Sequence, residues 1–388
     1  MMQTILFVDD DINLLQALQR MLRGYRAEWE MVFVDDPRKA LALLATRRFD
    51  VVVSDMRMPD LDGAQLLSEV ERLHPGTVRV ILSGYAEESS LFRSVGPAHQ
   101  YLSKPCDPEA ILALMARSWR LREILADPAL RDLAASLRTL PSPPDLYLRL
   151  TAAMADPAVN TSTIARMIAE DMAMTAELLK ITNSSYFALP SRITTAAQAV
   201  RLLGLETVCV LVLHAGIFRQ FQGHPGLGEI LRALSGHGVA KGLLAQKLAA
   251  EDGADEAVRA QAHCAGMMAD IGALVLLDAY PDAFQTMIAK AGRGKLEAVE
   301  RAAFGASHAQ LGAFILGLWG FPDPVIEAVL YQWHPSQCLN QGRGALSYVH
   351  LACVRGNASP LGPPGMGECD LDADYAARLG LDHSPCVR

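Results

Sequence analysis

The chain is short of aromatics, of positive charge and of paired cysteines, and each shortage narrows its function. Phe, Trp and Tyr make up only 6% of the residues. That is too few for a platform on which successive unpaired bases stack. Lys and Arg number 35 against 43 Asp and Glu, a formal charge of −8 at pH 7. Non-specific binding to nucleic acid or to an anionic membrane needs the opposite surplus. The cysteines are Cys106, Cys209, Cys264, Cys338, Cys353, Cys369 and Cys386. Their number is odd and no CxxC pair occurs, which fits reduced thiols rather than a disulfide framework or a zinc ribbon. The longest apolar run, near residues 208–218, is interrupted by His214 and falls short of a bilayer span. The opening MMQTILFVDDD turns acidic too early for a signal peptide. No internal repeat is found. The expectation is a soluble, cytoplasmic protein.

What is present is a large apolar fraction, 51% of 388 residues, with 20% charged. Global disorder is excluded, and the length predicts two or three domains. Strand-like runs at residues 4–8, 29–34, 51–54, 78–82 and 100–103 alternate with helical spacing at 12–22, 38–45, 64–73, 87–94 and 109–125. Five such units predict an α/β domain with a five-stranded, doubly wound parallel sheet. Right-handed crossovers then place the loops after the strands along one carboxyl edge, where ligands bind. Asp127-Pro128 breaks the last helix, and helical spacing resumes over 129–140. Pro141-Ser142-Pro143-Pro144 marks a boundary. From 145 to about 330 the periodicity is almost only helical, which predicts an all-α domain. Past Pro335 glycine and proline increase, with helical stretches at 345–354 and 371–379.

Polar residues converge on the carboxyl edge of the first domain. Asp9 and Asp10 close the first strand and Asp55 the third, followed by Met58-Pro59 and Asp62-Gly63. Ser83 ends the fourth strand, and Lys104-Pro105 follows the fifth. Any one of these acids is best explained as a solvated turn or helix cap. The joint pattern points to chemistry instead. Clustered carboxylates suit Mg²⁺, and one of them beside a metal and a lysine can attack a phosphoryl group.

Residues 5–11, 51–63, 80–84 and 101–105 closely resemble a response-regulator receiver domain, a flavodoxin-like fold, over about residues 1–125. The resemblance implies Asp55 as phosphoacceptor. It implies Asp10, Asp55 and the backbone carbonyl of Arg57 as Mg²⁺ ligands, with Asp9 holding a ligand water. Lys104 and Ser83 would contact the phosphoryl group, and Ser83 and Tyr101 would form the switch pair. The bond before Pro105 is usually cis in that family. Arg57 and Tyr85 are expected to overhang the site and to slow loss of the phosphoryl group.

Residues 126–139 read as a helical linker. Residues 140–337 then resemble an HDOD domain, a relative of the HD phosphohydrolases. The resemblance rests on Leu140-Pro-Ser-Pro-Pro, on Ile168 to Ser185, on 193–204 (ITTAAQAVRLLG) and on Gly266-Met-Met-Ala-Asp-Ile-Gly272. A working HD site needs an adjacent His-Asp pair plus a further His and Asp to hold metal. Here the pair falls at Ala269-Asp270, and alanine cannot coordinate a metal. His237 and Asp270 thus mark a degenerate HD site with no catalytic residue. His263 lies six positions before Ala269, turned away on a helix. His237, His308 and His334 are expected as hydrogen-bonded core or rim histidines. No HHExxDGxGYP-like segment occurs. Residues 161–184 have helix-turn-helix length, but the second helix carries Glu177 and a single lysine, Lys180, which favours core packing over DNA contact.

The sequence therefore predicts a two-component response regulator and not an enzyme. A sensor histidine kinase or phosphotransfer protein would phosphorylate Asp55 with Mg²⁺. The HDOD domain would bind a downstream signalling protein, with homodimerisation left open and neither nucleic acid nor membrane as partner. Residues 338–388 would form a partly helical C-terminal extension. Two alternatives stand: a residual metal-dependent nucleotide phosphohydrolase, and a DNA-binding regulator.

Overall fold

A computed structural model describes residues 2–83, 97–104, 108–154, 156, 159–183, 192–213, 219–221, 225–290, 296–340, 342–355 and 369–380. They form two compact units, the first built on the chain up to Arg138 and the second on most of the chain from Thr139 onward. The expected helix at 87–94, Tyr85, Pro105 and the side chain of Ser83 lie outside the described residues.

In the first unit the strands are β1 (Gln3–Val8), β2 (Trp29–Val34), β3 (Val51–Asp55), β4 (Val78–Ser83) and β5 (Gln100–Ser103). They pair in the order β2-β1-β3-β4-β5, all parallel. The central strand β3, VVVSD, is buried at every position. A parallel sheet covered on both faces demands such unbroken burial. The helices are α1 (Ile12–Met21), α2 (Pro37–Thr46), α3 (Gly63–Leu73), α4 (Pro108–Ile124) and α5 (Pro128–Ser136). Leu66, Leu67 and Val70 of α3 are fully buried, each contributing about 1.5–3 kcal/mol relative to exposure.

The expected helix at 129–140 is shorter than predicted, ending at Ser136, with Leu137 extended. Pro141 disfavours helical backbone just before it and offers no N–H. The chain instead enters a two-residue strand, β6 (Pro141–Ser142), paired in parallel with β7 (Arg219–Gln220). Helical periodicity gave no hint of this ladder.

The second unit carries α6 (Pro144–Met154), α7 (Thr161–Ala169), α8 (Met172–Thr182), α9 (Ala196–Leu213), α10 (Pro225–Glu251), α11 (Glu256–Met268), α12 (Ile271–Ala279), α13 (Pro281–Lys290), α14 (Leu296–Phe304), α15 (His308–Leu318), α16 (Asp323–Leu330), α17 (Ala345–Arg355) and α18 (Ala373–Leu379). Residues 172–179 of α8 are all buried, which no DNA-reading helix could be. One stretch among the described residues, Glu256–Ala279, is long and apolar enough to cross a membrane by length and composition, and its most apolar 18 residues are 83% buried. It is longer than the 208–218 run, and its burial is that of a core element.

Helices α10, α11 and α17 pack together, and α10 and α11 touch through backbone. A Cβ on Gly266 would lie 2.8 Å from the Cα of Gly242. The tail is held too: the Asp372 amide donates to His350 Nε2 at 3.0 Å, and the Ser347 and Tyr375 hydroxyls lie 2.8 Å apart. Replacing Gly266 by alanine must push the two helices apart. Urea unfolding of Gly266→Ala is expected to show a loss of about 1–3 kcal/mol. An unchanged midpoint would mean the crossing is looser than described.

Candidate functional site

The first cluster forms where the strand register brings the carboxyl ends together. Asp9 directly follows β1, Asp55 ends β3 beside Leu82, and Lys104 directly follows β5. Gly63 permits α3 to start against the Asp55 backbone, because a Cβ there would lie 2.1 Å from the Asp55 carbonyl oxygen. Some strand-end acids do only capping work: Asp11 accepts from the Asn13 and Leu14 amides, and Asp62 forms a capping box with Gln65. Asp9, Asp10 and Asp55 do not cap. One carboxylate oxygen from each lies within 4.8 Å of those of the other two.

Lys104 binds this cluster together. Its Nζ lies 2.7 Å from Asp9 Oδ2 and 2.5 Å from Asp55 Oδ1. Asp9 Oδ1 accepts from the Asp11 amide and Asp55 Oδ2 from the Arg57 amide. Burial opposes the Lys104 charge, but the bonds to Asp55 and Asp9 outweigh it and raise its pKa. For Asp55 burial wins and raises the pKa, partly offset by Lys104. Asp9 is buried and Asp10 exposed, so the cluster opens on one side. The Tyr101 ring is buried, and the Ser83 backbone stands beside Ser103 at the same edge. Arg57 is exposed at the rim. A donor set of three carboxylates is the hard-oxygen chemistry that Mg²⁺ takes, so these residues fit that ion.

A second cluster lies inside the helical unit. Asp270, between α11 and α12, is 2% exposed. Its Oδ2 lies 2.7 Å from His237 Nδ1, and Lys241 Nζ lies 3.0 and 3.2 Å from its two oxygens. His308 Nε2 stands 3.4 Å from Asp270 Oδ1, an ion-pair distance without a formed hydrogen bond. His308 Nδ1 is bonded to Glu300 at 2.6 Å. Gln332 accepts from Lys241 and donates to the Ala269 carbonyl. The structure thus joins His237, Asp270 and His308. His334 is elsewhere, half-exposed and bonded to Glu297. Ala269 presents only a methyl group.

Sequence reasoning missed Lys241, Glu300 and Gln332. Lys241 was findable: it follows His237 by four residues, one helical turn along the same face. Nothing in the spacing marks Glu300 or Gln332. Burial works against each charge here and is overcome. Lys241, His237 and His308 hold the Asp270 pKa well below the ordinary carboxylate value. Asp270 raises that of Lys241. Glu300 and Asp270 raise His308 to about 9.

Residues 140–335 match the HDOD domain family, and residues 5–116 match the response regulator receiver domain. A protein of Treponema pallidum (strain Nichols), described only as uncharacterized, is 24% identical over 316 residues, 79% of this chain and 58% of its own length. The hydrogenase transcriptional regulatory protein HoxA of Bradyrhizobium diazoefficiens is 32% identical over 120 residues, 30% of this chain and 24% of HoxA. The chain therefore spans well under two thirds of either relative. Among solved structures, the MmoQ response regulator from Methylococcus capsulatus str. Bath is similar at 23% identity and a TM-score of 0.47, covering 64% of this chain and 95% of MmoQ. The signal receiver domain of an HD domain-containing protein from Pseudomonas fluorescens Pf-5 is 30% identical, with a TM-score of 0.30, covering 32% of this chain and 98% of that one.

The His308 pKa of about 9 lies above its ordinary 6.5. Its protonation therefore stabilises the fold fully below about pH 6.5, and that contribution is lost as the pH rises through about 9. Unfolding free energies from urea titrations between about pH 6 and 10 are expected to fall by about 1–3 kcal/mol from this group alone. His308→Gln should remove that part of the slope. A constant offset between wild type and variant across the range would show that His308 is not charged in the fold.

Proposed function

The chain belongs to the HDOD domain family and carries a response regulator receiver domain ahead of that domain, and on this premise we propose that it is a phosphorylation-controlled, non-catalytic binding protein of a two-component system. The observation that carries the reading is Lys104, 2.5–2.7 Å from both Asp9 and Asp55 in an open three-carboxylate cluster. Asp55 is the acceptor. A carboxylate oxygen of Asp55 attacks the phosphorus of a phosphohistidine on a kinase or phosphotransfer protein. The P–O bond forms as the P–N bond breaks, and the histidine leaves with the electron pair. Mg²⁺, when bound, neutralises phosphoryl charge. Asp9, Asp10, Asp55 and the Arg57 carbonyl would hold it, Asp9 through a water. Lys104 gives up one carboxylate contact to meet a phosphoryl oxygen. The Arg57 amide keeps Asp55 oriented. Ser83 supplies a hydroxyl to the arriving phosphoryl group, and Tyr101, whose ring is already buried, is its partner in the switch pair.

With acetyl phosphate and Mg²⁺, intact-mass analysis should show one base-labile phosphoryl adduct. It should be absent in Asp55→Asn and formed about 10–100 times more slowly in Lys104→Ala. An adduct that persists in Asp55→Asn would overturn the assignment.

The helical domain acts by binding a downstream signalling protein. Lys241 supports this reading: its ammonium holds both oxygens of Asp270, the place where a metal would need an unshared carboxylate. A soluble, cytoplasmic setting without nucleic acid fits both the negative net charge and the buried α8. Full-length protein carrying Asp55→Asn is expected to retain no stoichiometric zinc, manganese or iron after dialysis, and to hydrolyse no nucleotide. Retention of one metal per chain, lost in Asp270→Ala, would establish the phosphohydrolase alternative instead.

A further inference from the structure

Among the described residues Arg79 is the largest fully buried side chain. Its guanidinium donates to four carbonyl oxygens: Pro97 at 2.6 Å, Pro75 at 3.0 Å, Thr77 at 3.4 Å and Ala135 at 2.6 Å. The last lies in the final turn of α5, where helix carbonyls have no partner of their own. His99 grips the same oxygen. Its Nδ1 accepts from the Arg79 amide at 3.1 Å, so Nε2 carries the proton and donates to Ala135 O at 2.8 Å. Just beyond the helix, Arg138 pairs with Glu71 at 2.5 Å, and Glu71 lies 3.6 Å from Arg79. At the middle of the helix, a Cβ on Gly76 would lie 2.3 Å from Asp132 Oδ1. The helix thus sits against the amino-end edge of the sheet.

The placement of the two clamp residues is informative. Arg79 stands on β4 four residues before Ser83, and His99 directly precedes β5, two residues before Tyr101. Each of these chain segments therefore begins near a clamp residue and runs to the acidic pocket: β4 ends at Ser83, and β5 passes through Tyr101, about 7 Å from His99, to Lys104 just beyond its end. A strand cannot stretch, because its peptide planes and bond lengths are fixed. A shift along the strand at one end arrives at the other.

We propose that Arg79 and His99 form the output coupling of the receiver. They fasten the end of α5 to β4, which ends at Ser83, and to the start of β5, which carries Tyr101, so that phosphorylation displaces α5 and the chain that leads from it into the second unit. The proposal rests on the reading of Asp55 as phosphoacceptor. Its effector is a buried clamp at the edge opposite the phosphorylated one, and both residues are positioning residues without contact to the phosphoryl group.

The test is hydrogen–deuterium exchange of the full chain, before and after phosphorylation with acetyl phosphate and Mg²⁺, with adduct formation read by mass in the same samples. In wild type, phosphorylation should change exchange in the peptide covering 130–138 by about fivefold or more. In His99→Leu, and in Glu71→Gln for a milder lesion at the rim, the adduct should form as before. The response of that peptide should then shrink to under about twofold in His99→Leu and weaken in Glu71→Gln. A wild-type helix that ignores a fully formed adduct overturns the coupling, as does a full response in both variants. Absence of any adduct in wild type overturns the phosphoacceptor reading itself, and the coupling with it.

Discussion

A carboxylate taken out of water keeps its charge only if a cation meets it, and each cluster in this protein is organised around that constraint. Lys104 meets Asp9 and Asp55; Lys241 meets Asp270. The two lysines differ in access. The Lys104 side chain is 25% exposed and that of Lys241 3%. An ammonium at a surface can trade one oxygen for another when a charged group arrives. One sealed among His237, His308 and Gln332 cannot do so without opening the core. The same kind of ion pair is thus open to water in one place and sealed from it in the other.

Both arrangements depend on backbones approaching where side chains would intervene. Gly63 lets α3 begin on the Asp55 carbonyl, and the Gly242–Gly266 crossing lets α10 lie on α11 closely enough for His237 and Lys241 to reach Asp270. The electrostatics are set by charged residues, but their distances are set by glycines that carry no charge at all.

The acidic edge was readable from the chain because strand ends are marked by abrupt changes from apolar to charged, and parallel topology sends all those ends to one side. Asp9, Asp10, Asp55 and Lys104 could be brought together on that basis alone. Ala269 was likewise visible, as an alanine directly before Asp270. Lys241 was overlooked because a lysine at helical spacing ordinarily points to solvent, and only tertiary packing turns this one inward. Glu300 and Gln332 reach Asp270 from distant helices, and no periodicity encodes that. Arg79 was hidden for a different reason. It interrupts the apolar run of the strand VRVILS and reads as a solvent-facing alternation, whereas its guanidinium is buried and makes four hydrogen bonds to backbone carbonyls.

The family resemblance stops at residue 335, but the physics does not. His350 and Cys353 of α17 bond to Gln332, the residue that closes over Lys241, and the Asp372 amide in turn fastens His350. A fragment cut at the family boundary would strip this cover and leave a charged pocket facing water. Lys241 and Asp270 would then be hydrated as ordinary surface ions, with little reason to stay paired. The last helices are thus the plug that keeps the helical unit dry.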